Sequence, residues 1–230
     1  MTTVLEILAG LLPGYALASF TESVMHEYVA DASPKIVAGW RRYPRLFQKL
    51  INTHFGHHVV HHHQTYLTTH VRQFETPCHR SRVTGFLIRR GRYGRILVAS
   101  DFGLRLLPSG VLFHILPLAP AAAALWLTAP SPTSLAATVT FTLPALFSHA
   151  VHPFLHMPFS QAQSAAPPLM ALFLRTAYGR ALYRNHFLHH HYGGVSNFNL
   201  VLGGDVLRRK CRRADAAALR AMRDVGMPLA

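Results

Sequence analysis

Seventeen of the 230 residues are histidine, and most recur at helical spacing. "HFGHHVVHHHQTY" (54–66) carries His54, His57, His58, His61, His62 and His63; "HPFLH" holds His152 and His156; "HFLHH" holds His186, His189 and His190. A helix brings residues three and four apart onto one face, so each box aims two or three imidazoles in one direction. Neutral imidazole is the commonest metal ligand, and desolvating so many rings together without a cation is costly. The chemistry implied is metal binding. His26, in "ESVMHEYVAD", precedes these boxes, with Glu22 one turn before it and Asp31 five residues after. A lone histidine near a membrane interface ordinarily makes one hydrogen bond, and His70, His79 and His114 read that way.

The longest box overlaps itself. HxxHH is met by His58, His61 and His62, and again by His54, His57 and His58. The former set is preferred, because Gly56 weakens a helix through 54–58. His63 and His191 point about 100° away from their neighbours on a helix and sit behind the ligands or face solvent. Calcium and magnesium want oxygen ligands, and nine carboxylate side chains are few; imidazole suits zinc, iron, copper and nickel. The rings outnumber what one ion uses, so two ions are implied. Cys78 and Cys211 stand far apart without a CxxC, which indicates neither a disulfide framework nor a thiolate site. No Ser-His-Asp order is visible.

The elements that must position these rings are apolar. Residues 106–174 contain no Asp, Glu, Lys or Arg. Within them, 111–129 and 133–151 each approach the ~20 residues that cross ~30 Å of hydrocarbon, and "PSP" (130–132) turns the chain between them. Residues 4–20, despite Glu6 and Pro13, read as a retained membrane helix rather than a signal peptide, since a basic leading region is missing. Of the 23 Lys and Arg, 13 fall in 35–105 and 10 in 175–223. The positive-inside rule places both blocks, and the histidines, on the cytoplasmic side. The net charge of +14 is then explained by orientation and anionic lipid headgroups, with no nucleic-acid partner. The expected fold is all-α: a membrane helical bundle of three to four membrane-embedded helices with a histidine-rich cytosolic cap, forming one domain over 1–230. Residues 33–53 read as an amphipathic connection at the headgroup layer or as a helix lying on the cytosolic cap, 89–103 as a Gly-rich loop, 165–184 as a partial helix delivering His186, and 206–230 as a basic, helical cytosolic tail.

In this order the boxes resemble the fatty acid hydroxylase / sterol desaturase superfamily of integral membrane di-iron oxygenases, from about Glu22 to Asp205. The likeness is strongest at "HVVHHHQTY" and at "RNHFLHHHYGGVSNFNLVLGGDVL", where Asn197, Asn199 and Asp205 look like that family's C-terminal signature. It implies His26, His58, His61, His62, His152, His156, His186, His189 and His190 as ligands. After His26 the family carries a second histidine four or five positions on, and this chain departs with Asp31. Asp31 would ligate as a carboxylate, or His54 or His57 would substitute, or one metal would be left under-coordinated; Glu22 would orient His26 or serve as an interfacial charge.

The resemblance further implies two iron ions and O2, acting on a C–H bond of a lipid-like substrate, whether fatty acyl, sterol-like or carotenoid. Hydroxylation is the expected outcome, with desaturation as the alternative. Electrons would come from an external donor, a ferredoxin or similar, because the chain lacks a cytochrome b5-like or flavin-binding segment. Two non-enzymatic readings stand beside it. A metal-binding or transport protein of the membrane calls for polar residues along the spans, where only His114 and a few Ser and Thr occur. A family member inactivated at Asp31 would be kept for structure or lipid binding.

Overall fold

Long apolar stretches decide the architecture, because in hydrocarbon only a helix satisfies its own backbone. The computed structural model describes residues 2–105 and 108–227, and among them no strand occurs. Three helical stretches are long and apolar enough to cross a membrane: Thr3–Ala30, Gly110–Thr128 and Ser131–Leu155. The first is α1 (Thr2–Met25) prolonged by a π-turn, His26–Ala30, so it reaches ten residues beyond the expected 4–20 and carries Glu22 and His26 on its end. The second is α6 (Pro108–Ile115) and α7 (Ala119–Thr128), joined through a 3-10 turn at Leu116–Leu118 where Pro117 removes a backbone donor. The third, α8 (Ser131–Leu155), follows the expected turn at Pro130 and runs past 151 to deliver His152.

The first and third spans lie against one another through small residues. A Cβ on Gly10 would meet the Thr133 carbonyl at 2.3 Å, and one on Gly14 would meet Thr140 Oγ1 at 2.1 Å. Four residues apart on α1, these glycines let the two backbones approach, as small-xxx-small pairs do in membranes. Leu118 seals the second span onto Ala18, Ala137 and Phe141. Outward-facing Leu5, Leu12, Leu127 and Leu143 stay exposed, as a lipid-facing surface requires.

The cap is built in two halves. Between the first two spans lie α2 (Pro34–Arg41), α3 (Pro44–His54), a π-helix (Phe55–His62), α4 (Pro77–Ile88) and α5 (Gly91–Ala99), the last three gathered around Val60, Val83, Leu87, Leu97 and Phe102. α5 corrects the expected loop at 89–103: Gly94 lets it settle on the Leu87 carbonyl, 1.7 Å from where a Cβ would stand, so that glycine serves packing. After the third span come α9 (Phe159–Ala165), α10 (Pro168–Arg175), α11 (Ala177–His191), α12 (Gly204–Leu207) and α13 (Ala216–Asp224). The single partial helix expected over 165–184 is thus two helices, divided at Thr176, whose hydroxyl caps α11 by accepting Gly179 N–H at 3.0 Å. The basic C-terminal segment folds back, with Ala218 and Met222 of α13 fully buried in the core that holds Leu182 and Phe187.

Candidate metal centre

The winding of two short segments selects which rings converge. His26–Ala30 and Phe55–His62 are π-helical; at the first, Asp31 N–H donates to the His26 carbonyl five residues back, at 2.8 Å. Bonding i to i+5 widens the turn, so residues four and five apart share a face. His26 and Asp31 therefore meet, and so do His57, His61 and His62. This corrects the preferred set of His58, His61 and His62, which assumed α-helical winding: His57 turns inward and His58 lies at the edge.

Eight side chains fall into two groups whose ligand atoms lie within 4.8 Å of one another. One is His61, His152, His156 and His186; the other is His26, Asp31, His57 and His189. In the first, His156 Nε2 sits 3.1 Å from His61 Nε2 and 2.8 Å from His186 Nε2. His152 Nδ1–H donates to the Leu104 carbonyl at 2.8 Å and His156 Nδ1–H to the His70 carbonyl at 3.0 Å. A carbonyl only accepts, so both neutral rings keep their proton on Nδ1 and turn the Nε2 lone pair inward. Burial, and then the neighbouring imidazoles, hold His61, His156 and His186 well below the usual histidine range, which keeps them neutral.

The second group is centred on a carboxylate oxygen. Asp31 Oδ2 lies 3.3 Å from His26 Nε2, 3.3 Å from His189 Nε2 and 3.5 Å from His57 Nε2, yet it is buried without a hydrogen-bond partner. His58 Nδ1–H holds the other oxygen, Oδ1, at 2.8 Å. Burial resists ionisation of Asp31, but the imidazoles, His62 and His57 foremost, outweigh it and hold the carboxyl well below the usual carboxylate range. His189 Nδ1–H donates to the Ser196 carbonyl at 2.8 Å, fixing a third inward Nε2. A buried, unpartnered anionic oxygen among three imidazole nitrogens is costly by itself and matches the donor set of a divalent transition metal.

His62 and His190 join the groups. His62 Nε2 is 3.1 Å from His57 Nε2 and 3.2 Å from His189 Nε2, beside the carboxylate group. His190 stacks on His62 with ring centres 4.0 Å apart, and lies 4.5 Å from His156 and 4.8 Å from His186 by the same measure. Its Nε2 is buried without a partner. A further imidazole thus stands beside each group, the fifth at the all-histidine one and the fourth at the carboxylate one, and the donors of each group fit a metal cation. Both groups draw on the same elements: the π-helix and α11 each contribute to both.

The remaining expected residues lie elsewhere. His54 stacks on His58, ring centres 5.0 Å apart, outside both groups. Glu22 is neither a partner of His26 nor an exposed charge: its buried carboxylate accepts from Ser148 Oγ (2.8 Å), Asn199 Nδ2 (3.0 Å), Leu200 N–H (3.1 Å) and Val201 N–H (2.9 Å). Asp205 accepts from Ser23 Oγ at 2.5 Å and Asn199 N–H at 2.7 Å, while Asn197 Nδ2 donates to Asn185 Oδ1 at 2.8 Å. These residues pin the loop after α11 onto α1 and α11 and do not reach the ligand atoms. His63 and His191 also stay outside the groups. His79 is structural, bonded to the Gln64 carbonyl at 2.9 Å.

Some contributors leave no mark in the sequence. Tyr66 is buried at φ 54°, its ring centre 4.2 Å from that of His156 and 5.2 Å from that of His61, and its place directly after "HHHQT" is the only available hint. The carbonyls of His70, Leu104 and Ser196 are backbone atoms with no residue signature. Beside the two groups lies a cavity of about 300 Å3, walled by His26, His57 and His152 together with residues of α3, α5 and α6. Comparison with protein-family models, with curated proteins and with solved structures finds no match to this chain.

Proposed function

We propose that this chain is a membrane-bound di-iron oxygenase that hydroxylates a C–H bond of a lipid-like substrate, with its metal centre on the cytoplasmic side. The observation that carries the reading is the pair of adjoining buried groups, each offering four ligand atoms within 4.8 Å, set at the ends of the first and third spans beside a cavity. Two iron ions would supply O2-dependent oxidation of an unactivated C–H bond, with the balance R–H + O2 + 2e− + 2H+ giving R–OH + H2O.

The chain's own residues do the rest. His152, His156 and His189 keep their Nδ1 protons on carbonyls and present Nε2. Asp31 adds one negative charge to an otherwise neutral donor set, and His58 orients it. Leu97, Phe113 and Leu200 give the cavity beside the rings an apolar wall. The two electrons come from an external donor of the ferredoxin class, for which the exposed arginines of the cap offer a basic docking face.

The test is metal and turnover measured together on detergent-purified protein. About two irons per chain, falling to about one in His190→Ala but unchanged in His63→Ala, with O2-dependent hydroxylation of a lipid when a reductase and ferredoxin are added, is the expected result. Metal-free protein, or metal indifferent to His190, would sink the reading. Two bound ions without turnover would favour a metal-binding role.

A further inference from the structure

The cavity beside the metal centre is mostly apolar, but three charged side chains line it, Glu22, Lys49 and Arg105. Glu22 already accepts four hydrogen bonds from the protein, so its charge is committed inside the fold. Lys49 and Arg105 are exposed, and among the described residues neither has a carboxylate within ion-pair distance. A second observation comes from His114, on the same wall, whose Nδ1 is buried without a hydrogen-bond partner. Gly110, Phe113 and His114 belong to the start of the second span, and Lys49 to α3 of the cap, so the cavity opens where the membrane meets the cap.

We propose that this cavity binds an amphiphile with an anionic head. Lys49 and Arg105 take the head by charge-assisted hydrogen bonds, His114 Nδ1 meets a polar atom of the bound molecule, and the apolar chain lies along Leu97 and Phe113 toward His26, His57 and His152. That this ligand is the substrate rests on the oxygenase reading; that it binds does not. Uncharged lipids, sterol-like or carotenoid, gain nothing from the two cations, so Lys49 and Arg105 set the preference among lipid classes.

The test is a binding titration on the purified full chain in an uncharged detergent, followed by fluorescence, with a polyene acyl carboxylate, its methyl ester and a monoacyl phosphate as probes. The carboxylate is expected to bind about tenfold tighter than the ester, and Lys49→Gln and Arg105→Gln each to weaken it about three- to tenfold. Ester binding unchanged in the double variant shows that the cavity is intact. Tighter binding of the phosphate, with the same loss in both variants, assigns the head to a phospholipid; tighter binding of the carboxylate assigns it to a free acyl acid. Equal binding of acid and ester, or a double variant that keeps the preference, overturns the proposal. No iron or turnover enters this assay. Hydroxylation of an uncharged lipid without any anionic preference defeats only this inference, and anionic binding without hydroxylation defeats only the oxygenase reading.

Discussion

Asp31 concentrates the electrostatics of the centre, since it brings the one carboxylate among ten candidate ligands and leaves its Oδ2 unpartnered between three imidazoles. Asp31→Asn keeps the shape and removes the charge. Metal analysis of the purified variant should show loss of one ion, from about two to about one per chain, because the all-histidine group is untouched. Loss of both ions, or of neither, contradicts the separation into two groups. Gly194 guards this carboxylate: it sits at φ +76°, and a Cβ there would stand 3.0 Å from Asp31 Oδ1. Gly194→Ala strains the backbone and pushes on the carboxylate, and should weaken the same ion by about ten- to a hundredfold in a competitive chelator titration.

The buried imidazoles also set a pH dependence for the metal-free chain. His61, His62, His156, His186 and His190 are all held well below the usual range, by burial first and by neighbouring imidazoles after it, with Asp31 opposing the shift at His62. Between their folded values and the unfolded value of about 6.5, the unfolded chain binds more protons, so unfolding stability rises with pH there. Their contribution is fully present above about 6.5 and is lost as the pH falls below it. Thermal melts of chelator-treated protein should drop steadily from pH 7 to about pH 5; a flat profile would mean these rings are not buried as neutral groups.

At the scale of elements, winding decides the ligand set. The i, i+3, i+4 pattern of "HVVHH" is a sound guide to an α-helix, and on that assumption His58 is the ligand. Nothing in residue type announces a π-helix, because its signature is a backbone bond to i+5. The spacing from His26 to Asp31 is the one trace of it in the sequence. His57→Ala and His58→Ala separate the two windings. Loss of the carboxylate-site ion in His57→Ala, against an affinity reduced about ten- to a hundredfold in His58→Ala, is the outcome π winding requires. The reverse order would restore the α-helical set. The spans, by contrast, were legible from composition, since hydrocarbon thickness and an absence of charge are properties of local sequence. Their mutual packing adds a prediction: Gly14→Val, which drives a side chain into Thr140, should destabilise the bundle by about 1–3 kcal/mol, whereas Gly39→Ala, with nothing within 4 Å of the added Cβ, should not.

For the whole molecule, the asymmetry of charge predicts one orientation in the membrane. Cys78 and Cys211 are both exposed, one on α4 of the cap and the other between α12 and α13. A membrane-impermeant maleimide should label both in inverted vesicles and neither in intact cells; labelling in intact cells would turn the centre to the other side. The polar residues after α11 were visible in the sequence, but their work was not. Glu22 bonds Asn199 and Ser23 bonds Asp205 across 177 and 182 positions of chain, and such long-range partners are invisible to any local pattern.

The division of one short box between the two groups also orders events in time. His186 serves one group and His189 the other, and both stand on α11, which is synthesised after all three spans. Neither group can close while the ribosome is still making the membrane helices. Ions held by these groups would therefore be captured only after the membrane helices are made, which would make metal acquisition a late step of biogenesis and expose an unloaded protein to quality-control proteases in metal-starved cells.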